Sequence, residues 1–584
     1  MTRSHGILRG LIHVNKSSLK DARFGRMFRW LPGETYQPKD LKDLAEAMIQ
    51  FEHAHVRGPT EGQMPPPKPP IEGPDVVFNK TPPMLDTPYH EPEPGDENPT
   101  MPAGFTYFGQ FIDHDLTFDP NSSLQKQNDP DATEDFRTPR FDLDSLYGRG
   151  PDDQPYLYKN HAADGGGIRF LLGRRAGNPG AERRGELPRN VEGRALVGDP
   201  RNDENNIICQ LQAVFLNFHN RVVDELTKVR RQQLNDHEIF QESQRIVRWH
   251  YQYLVLNDYL RHVVGDETWK HVYHGTGRHH PSPNLVFYTP KGGQAYMPVE
   301  FSVAAFRFGH SMVRPSYALR ANEAIVGGDA TVPFPGDPRF HRIPIFSDQR
   351  DAGSSLDGFG PLTERWEIDW RLFFCKDAMP TEPSKEFENG VAVLQVKKQA
   401  GTHFTQPGYR IDTQLVDPLA MLPPNVARSG NMPDGIPSLG YRNLLRGSAF
   451  ALPSGQNVAR ALGATPLTEA ELWNDSRNPK FKDPAANPFA FRAPLWFYIL
   501  KEAEGVRKHG VTDGKGGHHL GPVGGRIVAE VLVGIALNDH TSFLSQDPGW
   551  TPAKEKAKSG FDAGMTIESV FGLIDWATNG AMRF

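Results

Sequence analysis

Apolar positions along this chain recur mainly at helical spacing. Asn206 to Arg230 carries them at 207, 208, 211, 214, 215, 218, 222 and 226, a repeat near 3.6 residues that predicts a long amphipathic helix. Gly104 to Phe118 repeats the pattern at 105, 108, 111, 112 and 116. Gln244 to Val264 is denser in aromatics and is predicted to be a buried helix. Pro298 to Val313 reads as one further helix, ended by Pro315. Shorter helices are predicted over 366–375, 412–421, 437–447, 454–462 and 486–504. A Gly-rich stretch, 509–525, leads into a last long one, Arg526 to Leu537. Few runs alternate with period two, and no internal repeat of about 20–50 residues is present. The expected class is mainly α: one large helical domain with long loops and little β structure.

Breaks in that pattern suggest the organisation. Residues 1–60 read as an N-terminal extension with one helical stretch, Leu41 to Phe51. Residues 61–102 hold thirteen prolines, a density that predicts an extended arm without regular structure. The catalytic domain is expected over 103–545, with loops at 119–200 and 320–365. Residues 546–584 would be a C-terminal extension packed on it.

Composition narrows the function classes. The 65 basic and 71 acidic side chains leave a formal charge of −6, which argues against an electrostatic nucleic-acid binder. Two cysteines, Cys209 and Cys375, allow at most one disulfide, so this is no disulfide-framed scaffold. No apolar run approaches the roughly 18 residues of a membrane span. The start, Met1-Thr-Arg-Ser-His-Gly, lacks a signal-type apolar stretch. The expectation is a soluble protein, cytoplasmic by default, with bacterial export by a non-classical route as the alternative. No heptad pattern or large basic surface points to a macromolecular partner.

Four polar groups interrupt these apolar helices. In Gly109-Gln-Phe-Ile-Asp-His-Asp115, Gln110, Asp113 and His114 share about one 100° arc of a helix, and Asp115 points to nearly the opposite side. Before the long helix stands Asp199-Pro-Arg-Asn-Asp-Glu204, where Arg201 and Glu204 share a face at i, i+3. The same segment reads equally as helix capping. In Ala305-Phe-Arg-Phe-Gly-His310, Arg307 and His310 lie on a helix apolar nearly all round. Inside a protein they need an anion, a metal or a hydrogen-bond acceptor. In Thr138-Pro-Arg-Phe-Asp-Leu-Asp144, oxygens at alternate positions could wrap a hard cation such as calcium, or form an ordinary acidic turn.

Taken in this order, the groups give a specific resemblance. The chain resembles the animal-type haem peroxidases of the peroxidase–cyclooxygenase superfamily, and most of all their bacterial, peroxicin-like branch. The likeness runs from about residue 78 to 540. Its anchors are Gly109–Asp115, Arg201-x-x-Glu204, Phe215-Leu-Asn-Phe-His-Asn-Arg221, Arg307-Phe-Gly-His310 and Tyr441-Arg-Asn-Leu-Leu-Arg446.

The resemblance implies a haem b peroxidase. It would reduce hydrogen peroxide and oxidise small donors, such as bromide, iodide, thiocyanate or phenols, through a ferryl and porphyrin-radical intermediate. It implies His310 as the ligand of the haem iron and Asn443 as the acceptor of its second ring hydrogen. His114 would be the distal acid–base residue, Arg201 would stabilise the leaving oxygen, and Gln110 would order water or halide. Asp113 and Glu204 match carboxylates that form ester links to haem. Arg307 and Arg446 match residues near the haem. Asp115, Thr138, Arg140 (by its carbonyl), Asp142 and Asp144 match a calcium site.

Two departures matter. Asp144 stands where many relatives have Ser, which adds a carboxylate to the cation site. Asn205 replaces a Met that forms a sulfonium link to haem in some relatives, so that link is absent and chloride oxidation is in doubt.

Other functions compete. A fatty-acid dioxygenase of the cyclooxygenase type needs a radical Tyr above the haem, and Ile368 is expected at that position. A non-catalytic haem-binding or adhesion scaffold would be expected to lose His114 or Arg201 first. A zinc enzyme lacks a supporting H-E-x-x-H helix.

Overall fold

In a computed structural model of the chain, the structure describes residues 24–50, 96–118, 137–160, 167–175, 178–274, 282–290, 294–321, 340–346, 355–362, 366–374, 387–388, 391–392, 405–422, 436–505, 507–508, 511–512, 516–561 and 565–582. Cys375 and most of the Pro-rich arm lie outside them.

The architecture is mainly α, as expected. The elements that matter here are α1 (Pro38–Ala47), α2 (Gly104–Leu116), α3 (Asn206–Arg230), α4 (Asp236–Leu254) and α5 (Leu260–Trp269). They are followed by α6 (Leu439–Ala449), α7 (Leu495–Glu504), α8 (Pro522–Asn538) and α9 (Val570–Ala577). Strands among the described residues form only two-stranded pairs.

The core is a helical stack around α3. Asn205 starts that helix by accepting from the backbone N–H groups of Ile207 and Ile208 at 3.1 and 2.9 Å, two donors the first turn cannot pair itself. Phe111 of α2 stacks on Phe215 of α3 with ring centroids 4.6 Å apart. Tyr251 of α4 meets both rings edge-on. Gly109 lets α2 approach the next layer closely, because a Cβ there would stand 2.3 Å from the Tyr259 hydroxyl. The C-terminal residues close the other side of α3: Trp576 of α9 packs edge-on against Phe218, and the Arg221 guanidinium lies 4.2 Å from the Trp576 ring centroid.

Three expectations need correction. Residues 298–313 are not one α-helix. They form a π turn over Glu300–Ala304 and a 3-10 turn over Ala305–His310, broken at Ala304 (φ −129°, ψ −71°). Such irregular turns re-aim side chains, and this one carries Arg307 and His310. The Pro-rich arm does contain regular structure at its end: β1 (Glu97–Pro102) pairs antiparallel with β2 (Pro407–Tyr409). A two-stranded pair tolerates proline where an inner strand does not. Finally, 412–421 is not helical throughout, since Leu415–Val416 pairs with Ile49–Gln50 just after α1.

Candidate active site

One turn of α2 and the turn before α3 bring Gln110, Asp113, His114, Arg201 and Glu204 together. His114 is nearly buried, and its Nδ1 lies 2.7 Å from Asn202 Oδ1. The amide of Asn202 is itself oriented, because its Nδ2 donates to Gln212 Oε1 at 2.9 Å. Its oxygen is therefore left to accept, and the His114 hydrogen must sit on Nδ1. Nε2 carries the lone pair, 3.8 Å from Glu204 Oε1. Burial, then the Arg201 charge, pushes the His114 pKa down to about 3. The ring is neutral and basic at one nitrogen, facing the glutamate.

Arg201 is held from behind. Its Nε and Nη2 donate to Asp199, and Nη2 also reaches the carbonyls of His114 (3.0 Å) and Thr117 (2.6 Å). The guanidinium sits 4.8 Å from the centroid of the Phe118 ring. Its Nη1 is directed elsewhere, 3.9 Å from Asp113 Oδ2. Gln110 donates to Glu204 Oε1 while its own oxygen accepts from Asn205 at 3.4 Å. Burial raises the Asp113 carboxyl and lifts Glu204 to about 7.

These groups lie deep in the molecule yet keep accessible surface: 38% of the side chain for Asp113, 26% for Glu204 and 22% for Arg201. That remaining surface leaves these groups open to a ligand.

The 3-10 turn supplies the other side. His310 and Arg307 are likewise partly accessible, and a Cβ on Gly309 would meet open space. Arg307 Nη1 donates to Asn443 Oδ1 at 2.7 Å, and Asn443 Nδ2 lies 2.7 Å from His310 Nδ1. Here the amide nitrogen, not the expected oxygen, faces the ring. A half-turn of the amide exchanges the two atoms, and only a carbonyl facing Nδ1–H leaves Nε2 free for a metal. Burial, Arg307 and Arg442 push the His310 pKa down to about 3, so the ring is neutral. The Arg307 charge also lowers the Asp113 carboxyl, which places both on one space.

A flat dianionic cofactor with a central metal suits this donor set. The set comprises a neutral imidazole on the 3-10 turn and a base with an arginine at α2 and the turn before α3, and α2 packs against the 3-10 turn. Arg307 stands beside the histidine, and Arg442 and Arg446 lie on α6, where burial and then the Arg446 charge lower the pKa of Arg442. Sequence reasoning named Arg307 and Arg446 but missed Arg442. The i, i+4 spacing with Arg446 could have revealed it.

The expected cation residues also converge. Single oxygens of Asp115, Asp142 and Asp144 lie within 4.8 Å of one another. Thr138 Oγ1 donates to Asp142 at 2.7 Å. Arg140 turns the same loop through its N–H to the Thr138 carbonyl, 2.8 Å. Leu143, fully buried, adopts a left-handed φ of 55°, strain a branched side chain bears only when its surroundings impose it. Burial and the mutual repulsion of the carboxylates drive Asp115 well above its ordinary range, and Asp144 rises to about 7. A divalent cation would relieve that repulsion.

A family model described as animal haem peroxidase matches residues 135–335, which include Arg201, Glu204, Arg307 and His310. That match covers about a third of the chain. Over 131 residues, 22% of the chain, it is 28% identical to the probable oxidoreductase PXDNL of Homo sapiens, a stretch amounting to 8% of that protein. Peroxidase A from Dictyostelium discoideum shares the fold at a TM-score of 0.55 and 14% identity, over 96% of this chain and 93% of that one. The fatty acid alpha-dioxygenase of Arabidopsis thaliana aligns at a TM-score of 0.51 and 15% identity, over 83% of this chain and 73% of that one. At these identities the likeness is one of fold.

Ile368, expected at the position of a radical Tyr, is fully buried, and its N–H donates to Gln210 of α3 at 2.8 Å. Among the described residues, no helix is long and apolar enough to cross a membrane.

Proposed function

We propose that this protein is a peroxidase that reduces hydrogen peroxide and oxidises small donors: bromide, iodide, thiocyanate or phenols. The observation that carries the reading is the commitment of His114 Nδ1 to Asn202, which leaves Nε2 as a base beside Arg201. Haem, when bound, supplies the iron that takes up peroxide and the oxidising equivalents passed to donors. His310 would hold the iron with the Asn443 oxygen turned to its Nδ1, an orientation that gives up the Arg307–Asn443 bond, and Arg307, Arg442 and Arg446 are suited to the propionates.

His114 Nε2 takes a proton from peroxide and returns it to the departing oxygen. Its low basicity suits this cycle, because an imidazole already protonated could not start it. Arg201 Nη1 stabilises the negative charge that develops on that oxygen. Nε and Nη2 are tied to Asp199 and two carbonyls, so the guanidinium needs no reorganisation. Gln110, with its oxygen held by Asn205 and one amide hydrogen given to Glu204, offers its other amide hydrogen to water or a halide. Asp113 and Glu204 are the candidates for ester attachment to haem. Asp115, Thr138, the Arg140 carbonyl, Asp142 and Asp144 form the candidate calcium site.

Stopped-flow absorbance tests the reading. Haem-loaded protein mixed with one equivalent of peroxide should lose Soret intensity rapidly and recover it on adding bromide or a phenol. A Soret band indifferent to peroxide, with oxygen uptake on adding a long-chain fatty acid, would favour a dioxygenase instead.

A further inference from the structure

Arg137 belongs to neither set of residues described above, yet it touches both. Its side chain is buried, and its Nη1 pairs with Asp144 Oδ1 of the carboxylate cluster at 3.1 Å. Its Nε and Nη2 donate to Asp199 Oδ2, the former at 3.2 Å. Asp199 is fully buried. It spends its other contacts on Arg201, accepting from its backbone N–H at 2.8 Å, from Nε at 3.2 Å and from Nη2 at 2.9 Å. The Phe118 ring lies beside both guanidinium groups, with centroid distances of 5.8 Å to Arg137 and 4.8 Å to Arg201. An unbroken chain of ion pairs thus runs from Asp144 through Arg137 and Asp199 to Arg201.

The geometry points to Arg137 as a positioning residue that transmits occupation of the Asp115–Asp142–Asp144 cluster by calcium to the placement of Arg201. The inference rests on the peroxidase reading, in which Arg201 faces the reacting oxygens. The physical route is direct. With the cluster empty, Asp144 attracts Arg137. A divalent cation neutralises Asp144 and repels the guanidinium, which then gives its donors to Asp199. Asp199 cannot relax into solvent, so the change is passed to the groups it holds. Buried charges in contact couple strongly, because little water screens them.

A second route competes with this one. Asp115 is the sequence neighbour of His114, so calcium could act on the distal side through α2 alone. The two routes differ in their dependence on Arg137.

Linkage gives the test. Cyanide, an anionic probe of the distal side, is titrated into ferric, haem-loaded protein with saturating calcium and after complete chelation. The ratio of the two dissociation constants measures the coupling, and the same ratio must appear as the effect of cyanide on calcium affinity. The wild type is expected to bind cyanide about tenfold more tightly with calcium, within the usual range of coupling between sites. In Arg137→Gln the ratio should collapse to within about twofold of one.

Arg137→Lys keeps the charge, leaves every calcium ligand in place and lacks the fork that spans Asp144 and Asp199 together. It gives the same reading should Arg137→Gln fail to fold. A ratio that stays at the wild-type value in either variant overturns the proposal and assigns the coupling to Asp115. A wild-type ratio of one overturns it as well. Wild-type protein that holds haem but binds no cyanide would overturn the peroxidase reading first, and this coupling with it.

Discussion

Asn202→Ala isolates the contact that makes His114 a base. Asn202 is fully buried and bridges His114 Nδ1 and Gln212 Oε1. Truncation breaks both hydrogen bonds and strands a buried donor on His114 and a buried acceptor on Gln212, each costing about 1–3 kcal/mol. The fold should lose about 2–6 kcal/mol in a urea titration. The catalytic effect is separate. Without the Asn202 oxygen, the preference for hydrogen on Nδ1 falls by about 1.4 kcal/mol, so the second-order rate of the first Soret change with peroxide should fall about tenfold. Asn202→Asp keeps an acceptor at the same place and should restore most of that rate, whatever it does to stability. A variant destabilised as expected but reacting at the wild-type rate would refute the argument. The Nδ1 contact would then be scaffolding only.

Other outcomes test other parts of the structure. Burial raises the Glu502 carboxyl to about 8, although it accepts from the Val523 N–H at 2.8 Å. The native state therefore holds a proton that the unfolded chain releases above about pH 4.5, so stability falls as pH rises from there to about 8. Glu502→Gln should grow steadily more stable relative to wild type across that window, and a difference independent of pH between 5 and 9 would contradict the assignment. Phe111→Ala removes a ring with no accessible surface that stacks on Phe215. It should cost about 3–5 kcal/mol, and a loss under about 1 kcal/mol in chemical denaturation would mean that α2 does not face the core. If Asp113 and Glu204 carry ester links, acidic organic solvent should extract haem from Asp113→Asn/Glu204→Gln but not from wild type; full extraction from wild type would exclude the links.

Much of this was legible in the sequence where local signals agree. The stripe on α3 and its Asn205 cap define that helix to the residue. The Asn205–Ile208 cap is set by neighbours in the chain, as is the arc shared by Gln110, Asp113 and His114. Legibility ends where tertiary contact decides. The segment 298–313 has a helical apolar pattern, yet it breaks at Ala304. The start of α4 at Asp236 was readable from Asn235 and Glu238, which form a capping box, but the aromatic run further on drew the boundary to Gln244. Asp199 reads as a helix cap and does accept from the Arg201 N–H. That it also holds Arg137, some sixty residues earlier, follows only from the meeting of two loops. Asn202 and Gln212 stand ten residues apart, and no spacing rule links such a pair to a histidine on another helix.

The central claim is that haem is held by His310 opposite His114 and Arg201. Resonance Raman spectra of the ferrous, haem-loaded protein test it most directly. The wild type should show an iron–histidine stretching band. His310→Ala should lack that band and regain an iron–imidazole band when free imidazole is added. A band that persists unchanged in His310→Ala would place the iron on another residue and contradict the account.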